Sequence, residues 1–351
     1  MKINLYIYLC IYIIHHTMNK VDKITIKMTE YKKDLGSSFL DFNISGSQIN
    51  YIITNTIRRV IMSDIPMYAF DQFKIEKNTA ILHNNYLKLR LRQMPIWNIN
   101  NKVDFFEEEI KMNTIKEEDN EEIDDVELAA DKSLNSSSLA QLTMYVNFKN
   151  KTNNIMTVTT NDAKFYFDGT QIDSPYKSPI PIIKLHPGKE LTFSAITKLG
   201  TEAKDTMYSP VCRVKYTYED NDDTNINFFL ESRGQLHEKR ILLVAISNIE
   251  KKMRWILTLF EAHESNSEEL EGTFTVKNED HTMGNLIKRG MQQHSNIAFA
   301  GYNMPHPQSK TVVFHYKMKK QQPIKKIVND VVDYYSEIFE QIKKLVEKNI
   351  N

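Results

Sequence analysis

Asn55-Thr56-Ile57-Arg58-Arg59-Val60-Ile61 is echoed far along the chain by Asn285-Leu286-Ile287-Lys288-Arg289-Gly290-Met291. Each copy joins an asparagine and a basic pair to apolar residues at helical spacing. Each is followed by Ala-Phe, at Ala69-Phe70 and at Ala298-Phe299. An imperfect repeat at so wide a separation predicts two related modules, each offering the same kind of helical face. A pseudo-dimer contained in one chain would have this appearance.

Both copies read as helices on physical grounds. In the first, Ile49, Ile52, Ile53, Ile57, Val60 and Ile61 recur at the three-and-four spacing of a buried face, with Ser45 or Ser47 as the expected cap. Pro66 forces the residue before it out of helical geometry, so this helix must stop by Asp64. In the second, Asp280 or Thr282 is the expected cap, and Met283, Leu286, Ile287, Gly290 and Met291 form the stripe. Gly284 and Gly290 each weaken a helix by roughly 1 kcal/mol relative to alanine, which points to a packing reason such as close approach of a partner helix.

Composition narrows the class. The chain has 351 residues, room for two or three domains, and its 45 basic residues balance 45 acidic ones. Zero net charge argues against a free-standing nucleic-acid binder, which would carry a basic field. Two cysteines, Cys10 and Cys212, cannot build a disulfide framework or a four-thiolate zinc site, so an intracellular chain without metal or cofactor is expected. The apolar run Ile3 to Ile14 has the length of a signal-peptide core but falls short of a bilayer span. It can be read as a targeting signal or as an over-long start with Met18 as the working initiator.

Strand, helix and further strand-like segments at Tyr68 to Glu76 and Tyr86 to Arg92 follow one another up to residue 98. Residues 107–127 then hold eleven Asp or Glu against two Lys, a composition that cannot offset its own ordering entropy. Alternating runs at Leu142 to Phe148, Met156 to Thr160, Lys164 to Phe167 and Leu191 to Ala195 read as a β-rich domain, with His186-Pro187-Gly188 as a turn. A strand at Ile226 to Glu231 precedes a long helix striped by Leu242, Ala245, Ile246, Ile249, Met253, Ile256, Leu257 and Phe260. The last segment reads strand, repeat helix, two strands and a final helix with Pro323 in its first turn. That helix keeps Ile324, Ile327, Val328, Val331, Tyr335, Ile338, Phe339, Ile342, Leu345 and Val346 on one face, more than a small sheet covers. A helix partner is required, most economically the one at 236–263.

Several blocks carry a family resemblance. Ile75-Glu76-Lys77-Asn78-Thr79-Ala80-Ile81-Leu82-His83, the run Arg90 to Ile96, Ser63-Asp64-Ile65-Pro66, Ile183 to Leu191, Tyr208-Ser209-Pro210-Val211 and Leu230-Glu231-Ser232-Arg233-Gly234 resemble the α-like assembly subunits of DNA-directed RNA polymerases. The match is to the archaeal D subunit and the third subunit of RNA polymerase II. Asn278 to Leu286 and Phe299 to Pro307 resemble the archaeal L subunit and the eleventh subunit of RNA polymerase II. Two subunits that pair as separate chains are here fused, a form similar to the polymerases of large cytoplasmic DNA viruses.

The resemblance implies an α+β fold of two dimerisation modules forming an intramolecular pseudo-dimer through helices, with a β-rich domain inserted in the first. The expected parts are an extension or over-long start at 1–19, a first module at 20–98 and 219–265, and a mobile acidic loop at 99–138. The inserted domain takes 139–218 and the second module 266–351. Function is implied as a non-catalytic assembly platform that docks the largest and second-largest polymerase subunits. Small subunits like the tenth and twelfth would complete it, DNA would be met only through the holoenzyme, and no membrane is involved. Virion and host cytoplasm are the implied location, with the nucleus as alternative. The rival reading is a free-standing transcription regulator on the same fold.

Four-cysteine metal or iron–sulfur sites known in some members have no counterpart here, and the acidic block matches nothing in the family pattern. Asp280 and His281 read as helix-cap residues, and His306 between prolines as a turn residue. Asn55, Arg58 and Arg59 are the candidate large-subunit interface, since adjacent guanidiniums beside an apolar stripe suit an interface and the family docks there. Ile249, Met253, Leu286, Ile287, Ile338 and Ile342 are the candidate module-pairing residues. No acidic triplet for paired magnesium ions, phosphate loop or nucleophile motif is visible.

Overall fold

The computed structural model describes residues 22–33, 38–97, 141–219, 222–262, 270–306 and 310–350. The apolar run at 3–14, Met18 and the acidic block at 107–127 lie outside the described residues. The chain divides into two compact units. One holds the residues up to Asp64, 211–232 and those from His237 onward; the other holds 65–210 and 233–236.

In the first unit, β1 (Thr25–Lys33), β2 (Ser38–Ser45), β11 (Asp222–Ser232) and β10 (Val211–Glu219) make an antiparallel sheet in that order. Period-two alternation sets its inner face: Ile26, Ile44 and Ile226 share one cross-strand row, Phe42 pairs with Phe228, and Leu40 with Leu230. All seven are buried. Against this sheet lie α1 (Tyr51–Ser63) and α3 (Glu238–Ala262). The rest of the unit is a second antiparallel sheet, β12 (Glu271–Lys277), β14 (Thr311–Met318) and β13 (Ile297–Asn303), packed on α4 (His281–Gln293), together with the final helix α5 (Ile324–Asn349).

The four helices close on one another. α3 meets α5, α1 meets both α3 and α4, and α4 meets α5. Lys239 at the start of α3 donates to the Glu347 carbonyl near the end of α5 at 2.8 Å, so those two run antiparallel. At 26 residues, α5 is about 39 Å long, and its far end reaches β1, where Asn349 donates to the Ile26 carbonyl at 2.8 Å. Three strands cannot cover such a stripe; α3 and the first sheet supply the remainder. Gly290 shows how closely α4 and α5 approach, since a Cβ there would stand 2.4 Å from the Val331 side chain. Gly284 makes room in the same way for Tyr302 and Val312 of the neighbouring strands.

The second unit is built on a five-stranded antiparallel sheet, β3 (Met67–Asn78), β9 (Glu190–Gly200), β4 (Leu142–Lys149), β6 (Ala163–Phe167) and β7 (Thr170–Ile172), in that order. The ribbon β5 (Met156–Thr159) with β8 (Pro181–Leu185) and the short α2 (Asn84–Arg92) enclose a core around Phe70, Leu87, Leu91, Met144, Phe165, Leu185 and Phe193.

Several expectations change here. The segment Tyr86 to Arg92 is helix, not strand. Its Leu-Lys-Leu-Arg-Leu-Arg alternation imitates period two, but Leu87 and Leu91 are buried four residues apart while Leu89 between them is 60% exposed. β3 pairs along its length with β9, so residues 65–97 lie in the same compact unit as the β-rich strands. Conversely β10, expected in the inserted domain, pairs with β11 in the first unit. The chain crosses between the units after Asp64 and after Pro210, the first beside Pro66, and again on either side of 233–236. Neither serine caps α1; Asn50 does, accepting from the amides of Ile52 and Ile53 at 3.0 and 3.2 Å. Pro323 is the residue before α5 and not inside its first turn. The Ala-Phe echo also parts company, Phe70 being fully buried in the second unit and Phe299 exposed on β13 of the first.

Candidate docking face and helix junction

α1 separates its residues into two faces. Ile52, Ile53, Thr56, Ile57, Val60 and Ile61 are buried, and the two threonines at 54 and 56 bond back to the Asn50 and Ile52 carbonyls, which makes them tolerable there. Tyr51, Asn55, Arg58 and Met62 form the opposite stripe at successive helical turns. Asn55 accepts from Arg58 Nε at 3.0 Å, and Arg58 Nη1 lies 3.1 Å from the Met62 sulfur. The Tyr51 ring stacks on Tyr218 of β10, and Tyr218 stacks on Tyr216, at 6.4 and 6.2 Å between centroids. Burial raises the Tyr216 phenol, and the positive Arg58 works against that rise. The result is a continuous surface of aromatic rings, a thioether and a guanidinium.

Arg59, one residue further round, turns away from this surface. Its Nη2 meets Asp280 Oδ2 and its Nε meets Thr282 Oγ1, each at 2.6 Å. Asp280 is the cap of α4, accepting from the Thr282 amide at 2.7 Å. Burial by itself would raise the Asp280 carboxyl, but Thr282 and the Arg59 guanidinium outweigh it and hold the group below its usual range. Arg59 is thereby an internal strut between α1 and α4, and the sequence reading of the basic pair as two like interface residues separates into two roles.

A second ionic link sits beside the first. Lys252 of α3 meets Asp64, just beyond α1, at 2.8 Å and Glu279, just before α4, at 3.6 Å. Asn248, one turn back on α3, donates to the Asp64 carbonyl at 2.9 Å. Burial depresses the Lys252 amine, but Glu279 and Asp64 more than reverse this, so its charge is held. Glu279 is only 5% exposed; burial and the neighbouring Asp64 and Asp280 push it up to about 7 against the pull of Lys252. Two cations and three carboxylates thus tie α1, α3 and the start of α4 together. Sequence reasoning missed Asp64, Asn248, Lys252 and Glu279 as a group. The visible signal was a lysine between Ile249 and Met253 at stripe spacing.

Ile249, Met253, Leu286, Ile287, Ile338 and Ile342 are all at most 2% exposed and lie on three helices of this junction. Among the described residues no group of three or more His, Cys, Asp or Glu could hold a metal ion, and no helix is long and apolar enough to cross a membrane.

The repeat helices α1 and α4 pack on one another, each beside an antiparallel sheet of the same unit. Residues 46–253 and 271–345 each match the RNA polymerase Rpb3/Rpb11 dimerisation domain. The chain belongs to the Rpb3/Rpb11 family of RNA polymerase subunits. A chain of Acanthamoeba polyphaga mimivirus named as a DNA-directed RNA polymerase subunit is 23% identical over 351 aligned residues, spanning 93% of this chain and 94% of the viral one. Subunit 3 of the Arabidopsis thaliana DNA-directed RNA polymerases II, IV and V is 27% identical over 196 residues, 55% of this chain and 56% of that subunit. A Plasmodium berghei chain named as the RNA polymerase II subunit RPB11 is 34% identical over 83 residues, 22% of this chain and 66% of that one.

Proposed function

We propose that this chain is the assembly platform of a multisubunit DNA-dependent RNA polymerase, a non-catalytic subunit whose two family modules pair within one molecule as a pseudo-dimer. The pairing runs through α1, α3, α4 and α5, with Ile249, Met253, Leu286, Ile287, Ile338 and Ile342 at its centre. Fusion makes that pairing intramolecular and removes the search for a second chain. The largest and second-largest subunits dock on the platform, small subunits like the tenth and twelfth complete it, and DNA is met only through the assembled enzyme. The match along nearly all of a mimivirus chain supports a viral transcription machinery, in the virion or the host-cell factory.

The observation that carries the docking role is the outward stripe Tyr51, Asn55, Arg58 and Met62 with Tyr216 and Tyr218 beside it. Tyrosine, arginine and methionine are the residue types enriched at the centres of protein interfaces, and a helix already satisfied on its inner face gains nothing from them in solvent. Asn55 and Arg58 are the docking members of the expected trio, while Arg59 serves the junction. Tyr51→Ala with Arg58→Ala should weaken co-assembly with the two large subunits by 2 kcal/mol or more, about thirtyfold, with folding unchanged. Wild-type assembly by a folded double variant would overturn the assignment. A free-standing regulator on the same fold predicts that the native protein purifies without the large subunits.

A further inference from the structure

The balanced charge of the whole chain conceals a strong local imbalance. From His281 to Asn329 the sequence holds eight Lys or Arg and no Asp or Glu. That stretch builds α4, β13, β14 and the first turn of α5, so the excess is collected on one sheet-and-helix layer. The sheet β12, β14, β13 packs α4 on one face. Its other face carries the residues that alternate with the buried ones, among them Phe299 on β13 and His315 and Lys317 on β14. Register fixes their places: Phe299 stands across from Lys317, and Gly301 across from His315. A Cβ on Gly301 would come within 3.1 Å of the Phe299 ring, so the ring leans over a residue without a side chain, and it is still 57% exposed.

The corner beyond β14 adds cations to the edge of this face. Asn296 holds it, donating to the Lys320 carbonyl at 2.9 Å and to the Gln322 side chain at 3.0 Å, and accepting from the Lys320 amide at 2.9 Å. Lys319 and Lys320 are therefore presented on a fixed turn. Lys319 spends a donor on the neutral Ser295 carbonyl at 2.8 Å, and Lys320 has no ion pair among the described residues. Glu271, the one carboxylate in the three strands, is taken by Lys317. An exposed ring on a strand with uncompensated ammoniums beside it matches a single nucleic-acid strand, whose bases stack on aromatic faces while its phosphates meet lysines. A duplex keeps its bases inside and offers Phe299 nothing to stack on.

We propose that the outer face of the β12, β14, β13 sheet binds a single strand of nucleic acid without sequence preference, one base stacking on Phe299 and neighbouring phosphates meeting Lys319 and Lys320. This goes beyond the platform reading, in which nucleic acid is met only through the assembled enzyme, and does not depend on it. The test is fluorescence anisotropy of the full chain with a labelled strand of about twelve nucleotides, as RNA and as DNA, across a salt series. Binding should fall with salt at a log–log slope of about −1.4, as two phosphate contacts require. Phe299→Ala should weaken it about tenfold while Phe299→Trp retains it, and Lys319→Gln with Lys320→Gln should flatten the slope. These are surface positions, so parallel melts should match the parent. Binding of RNA, of DNA or of both supports the proposal and names the source. Absence of binding at low salt, preference for a duplex, or full affinity in folded Phe299→Ala would each overturn it.

Discussion

The two copies of the repeat helix differ most where their sequences look most alike. On α1 the basic pair divides its work, Arg58 lying along its own helix and Arg59 crossing to the cap of α4. On α4 the equivalent Lys288 and Arg289 make no such crossing among the described residues, and Arg289 Nε is buried with no hydrogen-bond partner among them. Caps explain part of this: α4 begins on Asp280, an anion, and α1 on Asn50, which is neutral. A second difference lies one residue on. Val60 fills its place on α1, whereas its counterpart Gly290 is vacant so that Val331 and Tyr335 of α5 can come close. Charge and volume are thus distributed unequally between two helices of like sequence.

The most severe way to break the comparison is to attack what the halves share. Ile249 on α3 and Ile338 on α5 are both fully buried at the junction. Replacing both with Asp places two unpaired charges there, each costing several kcal/mol. The expected outcome is loss of the cooperative thermal transition, with helix amides exchanging freely. A doubly substituted chain as stable as its parent would refute pairing through these helices.

Next in size is the junction's pH response. Glu279 has a carboxyl raised to about 7, above the unfolded value near 4.3. The sign follows from linkage: the neutral form is favoured by folding, so the contribution is complete below about pH 4 and is lost as pH rises through 7. Glu279→Gln should leave stability nearly unchanged below pH 4 and raise it at pH 8, by up to roughly 3 kcal/mol. Chemical denaturation at the two pH values measures the difference, and an equal effect at both would show that folding does not shift the Glu279 carboxyl.

How much of this was legible beforehand depended on the range of the interaction. Local patterns were clear: the stripes of α1, α3, α4 and α5 were read at their proper faces, and Asp280 was one of two caps proposed for α4. Leu87-Lys88-Leu89-Arg90-Leu91 misled because three leucines at period two fit a strand as well as two faces of a helix, and only burial distinguishes them. Domain limits were harder still. Whether β3 joins the first unit or the second depends on its pairing with β9, more than a hundred residues away. The Arg59–Asp280 strut joins residues 221 apart, and nothing in either neighbourhood marks its partner.

Arg59→Ala sharpens the comparison at moderate scale. It removes two charge-assisted hydrogen bonds from a half-exposed site, which should lower stability by about 1 kcal/mol. Asp280→Ala alone also removes the cap and should cost more. In the double variant the coupling between the two sites should be about 1 kcal/mol if the strut is real. Additive losses measured by denaturant titration would mean that the pair contributes nothing beyond its separate parts.

The smallest effect belongs to Arg58. Its contacts are with Asn55 and Met62 of its own helix, at the surface, and pairs of this kind stabilise a helix by only a few tenths of a kcal/mol. Arginine and alanine are also close in helix propensity, so Arg58→Ala should move the unfolding free energy by no more than about 0.5 kcal/mol. The same measurement on Arg59→Ala gives the comparison its resolution, because two adjacent, chemically identical residues should then differ about twofold or more in their worth to the fold. Equal losses at both positions, seen in parallel melts, would mean that the inward and outward roles assigned to the pair do not divide as the geometry describes. A larger loss at Arg58 would place the strut on the wrong residue.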